Sequence, residues 1–189
     1  MTNQDFLATM AARRSISTVD DAAPSDADLL TILRSVTPVA DHKGLKPWRL
    51  VTLRGDDRIR LGRAFDKADG KDSAADRFNR KPLRAPLLIA VIASPKDHGS
   101  VPRWEQEAVA SGAAHLLSLA LWAAGWGVMW RTGSNTEAKP VRKLHGVRKG
   151  ERLMGWLYVG AIPEKYRAKL ESGSRKRPDP NEFLHRLPE

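Results

Sequence analysis

Two short runs carry the side chains best suited to chemistry, Arg13-Arg14-Ser15 near the start and Trp130-Arg131-Thr132-Gly133 far along the chain. Each joins a guanidinium to a hydroxyl. Arginine reaches phosphate oxygens with two parallel N–H groups, and a hydroxyl fills a remaining lone pair, so the two runs together could hold a phosphate monoester from two sides. No glycine-rich phosphate loop lies between them, which removes the usual dinucleotide and P-loop readings. Cations at the end of a helix are also favoured by its dipole, so Arg13-Arg14 taken alone reads equally well as a helix terminus.

Those residues must be positioned by a chain of 189 residues that is 41% hydrophobic, long enough for one full core and short for two. Residues 1–162 read as one domain and residues 163–189 as a basic, proline-containing tail with Phe183 and Leu184 as anchors on a partner. Cysteine is absent, which excludes disulfides, thiolate zinc sites and cysteine nucleophiles. Met1 to Ala11 lacks the basic start and apolar run of a signal peptide, so the expected compartment is the cytoplasm. The formal charge of +10 favours anionic partners. Its carriers, among them Arg58, Arg63, Arg80, Lys81 and Arg142, are scattered and often stand beside acids, which fits a solvated basic surface better than a nucleic-acid reader.

Periodicity supplies the frame. Phe6, Leu7 and Met10 mark a short helix ending at the arginines. Ser25 and Asp28 form a capping box that opens a second helix carrying Leu29, Leu30, Ile32 and Leu33. Residues 37–44 read as loop, Arg49 to Leu53 as strand, and the stretch after Gly55 as a helix bearing Ile59, Leu61 and Phe65. Lys67 to Arg84 is polar and charged, and reads as a mobile excursion with a helical turn around Ala74 to Phe78. Leu87 to Ala93, an apolar run between Pro86 and Pro95, is expected as a central strand buried on both faces.

A long helix then runs to Ala124, with Glu105 and Glu107 suited to its first turn as capping and dipole groups. Ser111, Gly112, His115 and Ser118 interrupt its apolar character, so it belongs in a core or a subunit interface rather than a membrane, with His115 as a satisfied interior or interface residue. Val128 to Trp130 has strand character and leaves Arg131 and Thr132 at its exit; a short helix at Pro140 to His145 and a strand at Leu153 to Gly160 follow. Strands and helices without a regular βαβ rhythm point to an α+β fold with one helix as its spine.

The order of these pieces resembles the nitroreductase family of FMN enzymes. The matching elements are Arg13-Arg14-Ser15, Asp41-His42-Lys43, Lys46-Pro47-Trp48-Arg49, the strand after Ala85-Pro86, Val101-Pro102-Arg103-Trp104-Glu105-Gln106-Glu107, Trp130-Arg131-Thr132-Gly133 and Gly155 to Gly160. The likeness is greatest to its small YdjA-like subgroup. The resemblance implies an α+β fold with a central mixed or antiparallel sheet around a long buried helix, assembled as an intertwined homodimer with FMN in clefts between subunits. By position, Arg13, Arg14 and Ser15 are expected on the phosphate and ribityl end, Trp130, Arg131 and Thr132 in the same binding set, and His42 of the second subunit against the flavin. The expected activity is hydride transfer from NAD(P)H through FMN to a nitroaromatic, quinone or similar acceptor. No side chain is expected to carry the redox step, because the flavin does, and no metal site is expected. The chain departs from the family at Ala40, where proline is usual, at Lys46, where glutamine is usual, and at Pro38, where the subgroup often has arginine. Two alternatives stay open at the level of sequence: a basic nucleic-acid-binding domain that stacks bases on tryptophan, and a flavin-binding dimer without reductase activity.

Overall fold

The computed structural model describes residues 3–74, 77–171 and 178–187. Helices α1 (Asn3–Ala12) and α2 (Asp26–Arg34) precede strand β1 (Trp48–Leu53), helix α3 (Asp56–Ala68) and strand β2 (Leu87–Ala93). Helix α4 (Arg103–Ala123), strand β3 (Trp126–Arg131), helix α5 (Lys139–Leu144), strand β4 (Arg152–Ala161) and helix α6 (Glu164–Glu171) complete the order. The strands form one sheet in the order β1-β2-β4-β3. Every pairing is antiparallel, which resolves the expected mixed or antiparallel sheet in favour of the second.

β2 is buried along its whole length because both faces of the sheet are covered. Leu87, Ile89 and Val91 join Leu29 of α2 and Ala113, Ala114, Leu117 and Leu121 of α4 in one core. Leu88, Ala90 and Ile92 point the other way, toward Leu61 and Phe65 of α3 and Val141 of α5. The period of two therefore feeds two cores from one strand. In α4, Gln106, Ala110, Ala113, Leu117 and Leu121 form the buried stripe, whereas His115 and Leu116 are exposed in the single chain. His115 is thus not interior to this chain, and its ring meets the edge of Trp130 at 6.1 Å.

Ser25 closes the expected capping box on α2, with both reciprocal hydrogen bonds present. The stretch after α3 is held more firmly than its composition implies. The buried Asp66 carboxylate accepts hydrogen bonds from Ser73 Oγ and the Asn79 N–H, both at 2.8 Å. Phe78 and the Asn79 carbonyl lie against Gly62, where a Cβ would come within 2.8 Å of the Phe78 ring. This segment ends in a short 3-10 turn at Lys81–Arg84 with Pro82 buried. The helical turn expected around Ala74 to Phe78 falls partly outside the described residues, and Arg77 and Phe78 are not helical. Sequence reading also left α6 unassigned inside the tail.

Candidate functional site

The exit of β3 is the centre of the site. Antiparallel pairing sets Met129 opposite Tyr158 and Arg131 opposite Trp156, so those four side chains share one face, while Trp130 turns to the other. Trp130 is fixed there by its indole N–H, which donates to the Met154 carbonyl at 3.0 Å. Gly155 of β4 has φ +109 and lies against the Arg131 carbonyl and the Thr132 methyl, leaving no room for a side chain. Glycine at this point lets the two strands close while β3 bends away at Gly133, itself at φ +140.

A cleft of about 510 Å³ opens at this bend. Its aromatic wall is Phe65, Trp156 and Tyr158; its polar wall is Thr132, Gly133, Ser134 and Asn135. Three cations, Lys81, Arg84 and Arg131, line it, and no carboxylate does. Arg131 stacks over the Tyr158 ring at 5.2 Å and donates from Nη2 to the Ser17 carbonyl at 3.2 Å. Its Nε–H is buried and has no partner among the described residues. Burial pushes the Tyr158 hydroxyl up to about 12, against the opposing pull of Arg131 and Arg84, so Tyr158 stays a neutral donor. Behind the cleft, Trp156 Nε1–H donates to His145 Nε2 at 2.9 Å, and His145 Nδ1–H donates to the Val141 carbonyl at 2.8 Å. Burial lowers the His145 pKa, the Val141 bond opposes this and Arg49 reinforces it, which keeps the imidazole neutral and able to accept from Trp156.

The other expected site residues lie elsewhere. Ile16 N–H donates to the Val128 carbonyl at 2.9 Å and Asp20 pairs with Ala161, so the segment after Ser15 crosses β3 and β4. Gly127 and Gly160 permit the crossing, since a Cβ on either would meet Val19 at 2.9 and 2.7 Å. Arg13, Arg14 and Ser15 do not line the cleft, although Arg131 reaches the Ser17 carbonyl just beyond them in the chain. Arg14 folds back on α1, donating from Nη1 to the carbonyls of Ala11, Ala12 and Arg13, which is the helix-terminus role. Arg13 makes no side-chain ion pair among the described residues.

His42 also stands apart from the cleft. Its Nδ1 lies 3.1 Å from Glu105 Oε2, and a carboxylate only accepts, so Nδ1 carries the proton of this contact. Glu105 thus binds a histidine and Glu107 binds Arg103 at 2.9 Å, in place of the capping roles expected of them; Pro102 begins the helix with no side-chain cap. The His42 loop is held by the Asp41 carboxylate, which accepts from the Lys46 N–H at 2.7 Å. Both Lys43 and Lys46 have positive φ, +63 and +49.

The sequence reading missed three features. In sequence Lys81 reads as scattered surface charge and Arg84 as the end of a polar, mobile stretch, and only the pinned turn places them on the cleft. Gln106 is buried in α4 and its amide clamps the Lys96 backbone N–H and C=O at 2.7 and 2.9 Å. Glu151 is a buried carboxylate that receives Arg49, Arg148 and Ser94 together. Among the described residues no three histidine, aspartate or glutamate side chains converge on a metal-sized site, and no helix is long and apolar enough to cross a membrane.

The order of these features along the chain matches a known pattern. The model of the nitroreductase family covers residues 10–161. The chain belongs to the nitroreductase family. This nitroreductase-family chain is 35% identical over 184 residues to YdjA of Escherichia coli (strain K12), spanning 95% of the chain and 98% of that relative. Its fold is similar to the nitroreductase-like family protein from Bacillus cereus, with a TM-score of 0.78 at 22% identity, covering 99% and 98% of the two chains. It is also similar to a point mutant of the FMN- and NADPH-dependent nitroreductase NfnB from Sphigopyxis sp. strain HMH, with a TM-score of 0.72 at 16% identity, covering 95% and 97%. Family membership makes the chain an oxidoreductase.

Proposed function

We propose that the chain is an FMN-dependent NAD(P)H oxidoreductase whose flavin lies along β3. The observation that carries this reading is the aromatic cleft at the β3 exit, with three cations, no carboxylate and a buried guanidinium N–H that has no partner among the described residues. The donor set fits a flavin mononucleotide. The segment that follows Arg13, Arg14 and Ser15 is tied to β3 twice, by Ile16 N–H on the Val128 carbonyl and by Arg131 Nη2 on the Ser17 carbonyl. That link suits a cofactor whose phosphate end meets Arg13, Arg14 and Ser15 and whose ring is held by Trp130, Arg131 and Thr132. The name of the Escherichia coli relative includes NAD(P)H nitroreductase, and that of NfnB includes FMN and NADPH, which supports the assignment.

When bound, FMN supplies hydride transfer, accepting from a reduced nicotinamide and passing to a quinone, nitroaromatic or similar acceptor. The chain's own groups do the rest. Arg131 and Lys81 place positive charge where the reduced ring gathers negative charge. Tyr158 keeps a neutral hydroxyl there, and the His145 bond fixes the plane of Trp156 under the cleft. His42, held by Glu105, serves a second copy of the chain.

The exposed Phe6, Leu7 and Met10 of α1 and Leu116 of α4 support assembly as a homodimer, as do Phe183 and Leu184 of the tail. In this reading residues 1–162 form the flavin-binding unit, residues 163–189 pack on the dimer, and the enzyme works in the cytoplasm on small acceptors. Purified protein should be yellow and should bleach when NADH or NADPH is added without oxygen. Colourless protein that binds oligonucleotides tightly at low salt would return the nucleic-acid reading, and yellow protein that no nicotinamide bleaches would leave a flavin carrier.

A further inference from the structure

The cleft holds more positive charge than the proposed flavin needs. On that reading, which this inference extends, the phosphate charge goes to the Arg13 end, and the ring brings at most a single negative charge to the cleft. Lys81, Arg84 and Arg131 all line it, and none of them makes an ion pair with an acid among the described residues. Several other arginines do meet an acid: Arg49 and Arg148 share Glu151, Arg54 meets Asp26 and Arg103 meets Glu107. Lys81 and Arg84 stand on the 3-10 turn whose Pro82 is buried, downstream of the Asn79 backbone that Asp66 holds. Their charges are therefore built into one exposed rim of the cleft, beside an aromatic wall and neutral hydroxyl and amide donors.

We propose that this cleft selects an acceptor that is itself an anion, a flat aromatic electrophile carrying a carboxylate or comparable acidic group that seats on Arg84 and Lys81. Guanidinium and ammonium groups form charge-assisted hydrogen bonds with carboxylates about twice as strong as neutral ones. Tyr158 remains neutral at physiological pH and adds no opposing charge. The phosphates of the nicotinamide dinucleotide share this chemistry, so the test separates the two sources.

The experiment uses flavin-loaded protein and two acceptors of matched shape, 4-nitrobenzoate and 4-nitrobenzamide. Binding of unreactive benzoate and benzamide is read from the perturbed flavin absorption and, on protein stripped of flavin, by calorimetry. The carboxylate should lead the amide in kcat/KM by about tenfold or more at low salt, the size of one charge-assisted contact, and the lead should shrink as ionic strength rises. In Arg84→Gln and in Lys81→Gln that ratio should fall toward one, and the benzoate preference in binding should fall with it. Equal kcat/KM for the two acceptors in the unmodified protein, or an unchanged ratio in both variants, overturns the proposal. So does an effect of both variants confined to the rate at which NADH or NADPH bleaches the flavin, which would assign the cations to the dinucleotide. Failure to bind flavin at all would sink the earlier reading instead, and the calorimetric benzoate preference would then decide this one.

Discussion

Two clusters of cations lie along β4, one just before its first residue and one beside Trp156 and Tyr158, and they are built in opposite ways. At the start of the strand, Glu151 takes Arg49 through both carboxylate oxygens at 3.0 and 2.7 Å, Arg148 at 2.6 Å and Ser94 Oγ at 2.8 Å. Arg49 spends its remaining reach on the Gly146 carbonyl at 2.7 Å. Both guanidiniums there converge on a carboxylate of the chain itself. Beside Tyr158, further along, Arg131, Lys81 and Arg84 have no acid among the described residues, and a buried Nε–H has no partner among them. The first cluster is closed around a carboxylate of the chain itself, whereas the second has no such acid among the described residues and is open to a ligand. The first cluster ties β1, β2 and the loop before β4 together; the second is arranged for something that arrives later.

Breaking the closed cluster should have a large effect on stability. Glu151→Gln leaves two arginines around a neutral amide and should cost about 1–3 kcal/mol in urea unfolding, less than a fully buried pair because Arg148 is largely exposed. The pH dependence follows from the same contacts. Arg49 first, with Arg148 and Ser94 adding to it, holds the Glu151 carboxyl well below its ordinary value of 4.5, and this outweighs the opposing effect of burial. A depressed folded-state value stabilises the protein above the unfolded value, and the gain is lost as pH falls through the acid range toward the folded value. Unmodified protein should therefore lose stability between neutral pH and pH 3, and Glu151→Gln should flatten that slope.

Breaking the open cluster should do the reverse. Arg13→Ala combined with Arg131→Ala should weaken FMN binding about 100-fold, or roughly 3 kcal/mol, while the unfolding midpoint of the stripped protein stays nearly unchanged. Full flavin occupancy in that double variant at micromolar concentration would refute the two-ended hold on the cofactor. Gly155→Ala sharpens the contrast from the backbone side. A methyl pressed on the Arg131 carbonyl, at φ +109, should cost about 2 kcal/mol of stability and shift the bound-flavin spectrum, since it moves the β3 exit itself. Ser94→Ala, which removes one hydrogen bond from the closed cluster, should cost about 1 kcal/mol with no effect on the flavin.

The difference between the clusters also explains what sequence could reveal. β2 was legible because an apolar run between prolines has few other uses, and α2 because Ser25 and Asp28 mark its start locally. Trp130, Arg131 and Thr132 were legible as an exit motif because strand and break adjoin in sequence. Glu151 was not, since Arg49 is 102 residues away from it and Ser94 is 57, and a glutamate among lysines and arginines looks solvated. Lys81 and Arg84 were hidden for a related reason. Their stretch is anchored by a buried aspartate and by close backbone contact at Gly62, neither of which hydrophobic periodicity detects. Apolar order is written locally, whereas pairing between distant charges is decided by topology.

The lysines of the His42 loop carry one further consequence. Lys43 and Lys46 hold left-handed backbone angles that cost a residue with a side chain roughly 1–2 kcal/mol each, and the Asp41 clasp on the Lys46 N–H offsets part of that. Trading Lys46 for glycine would erase an ammonium group and its whole aliphatic stem, yet the freed backbone should leave melting behaviour level or slightly higher. Charge and conformation can thus be uncoupled at that single position.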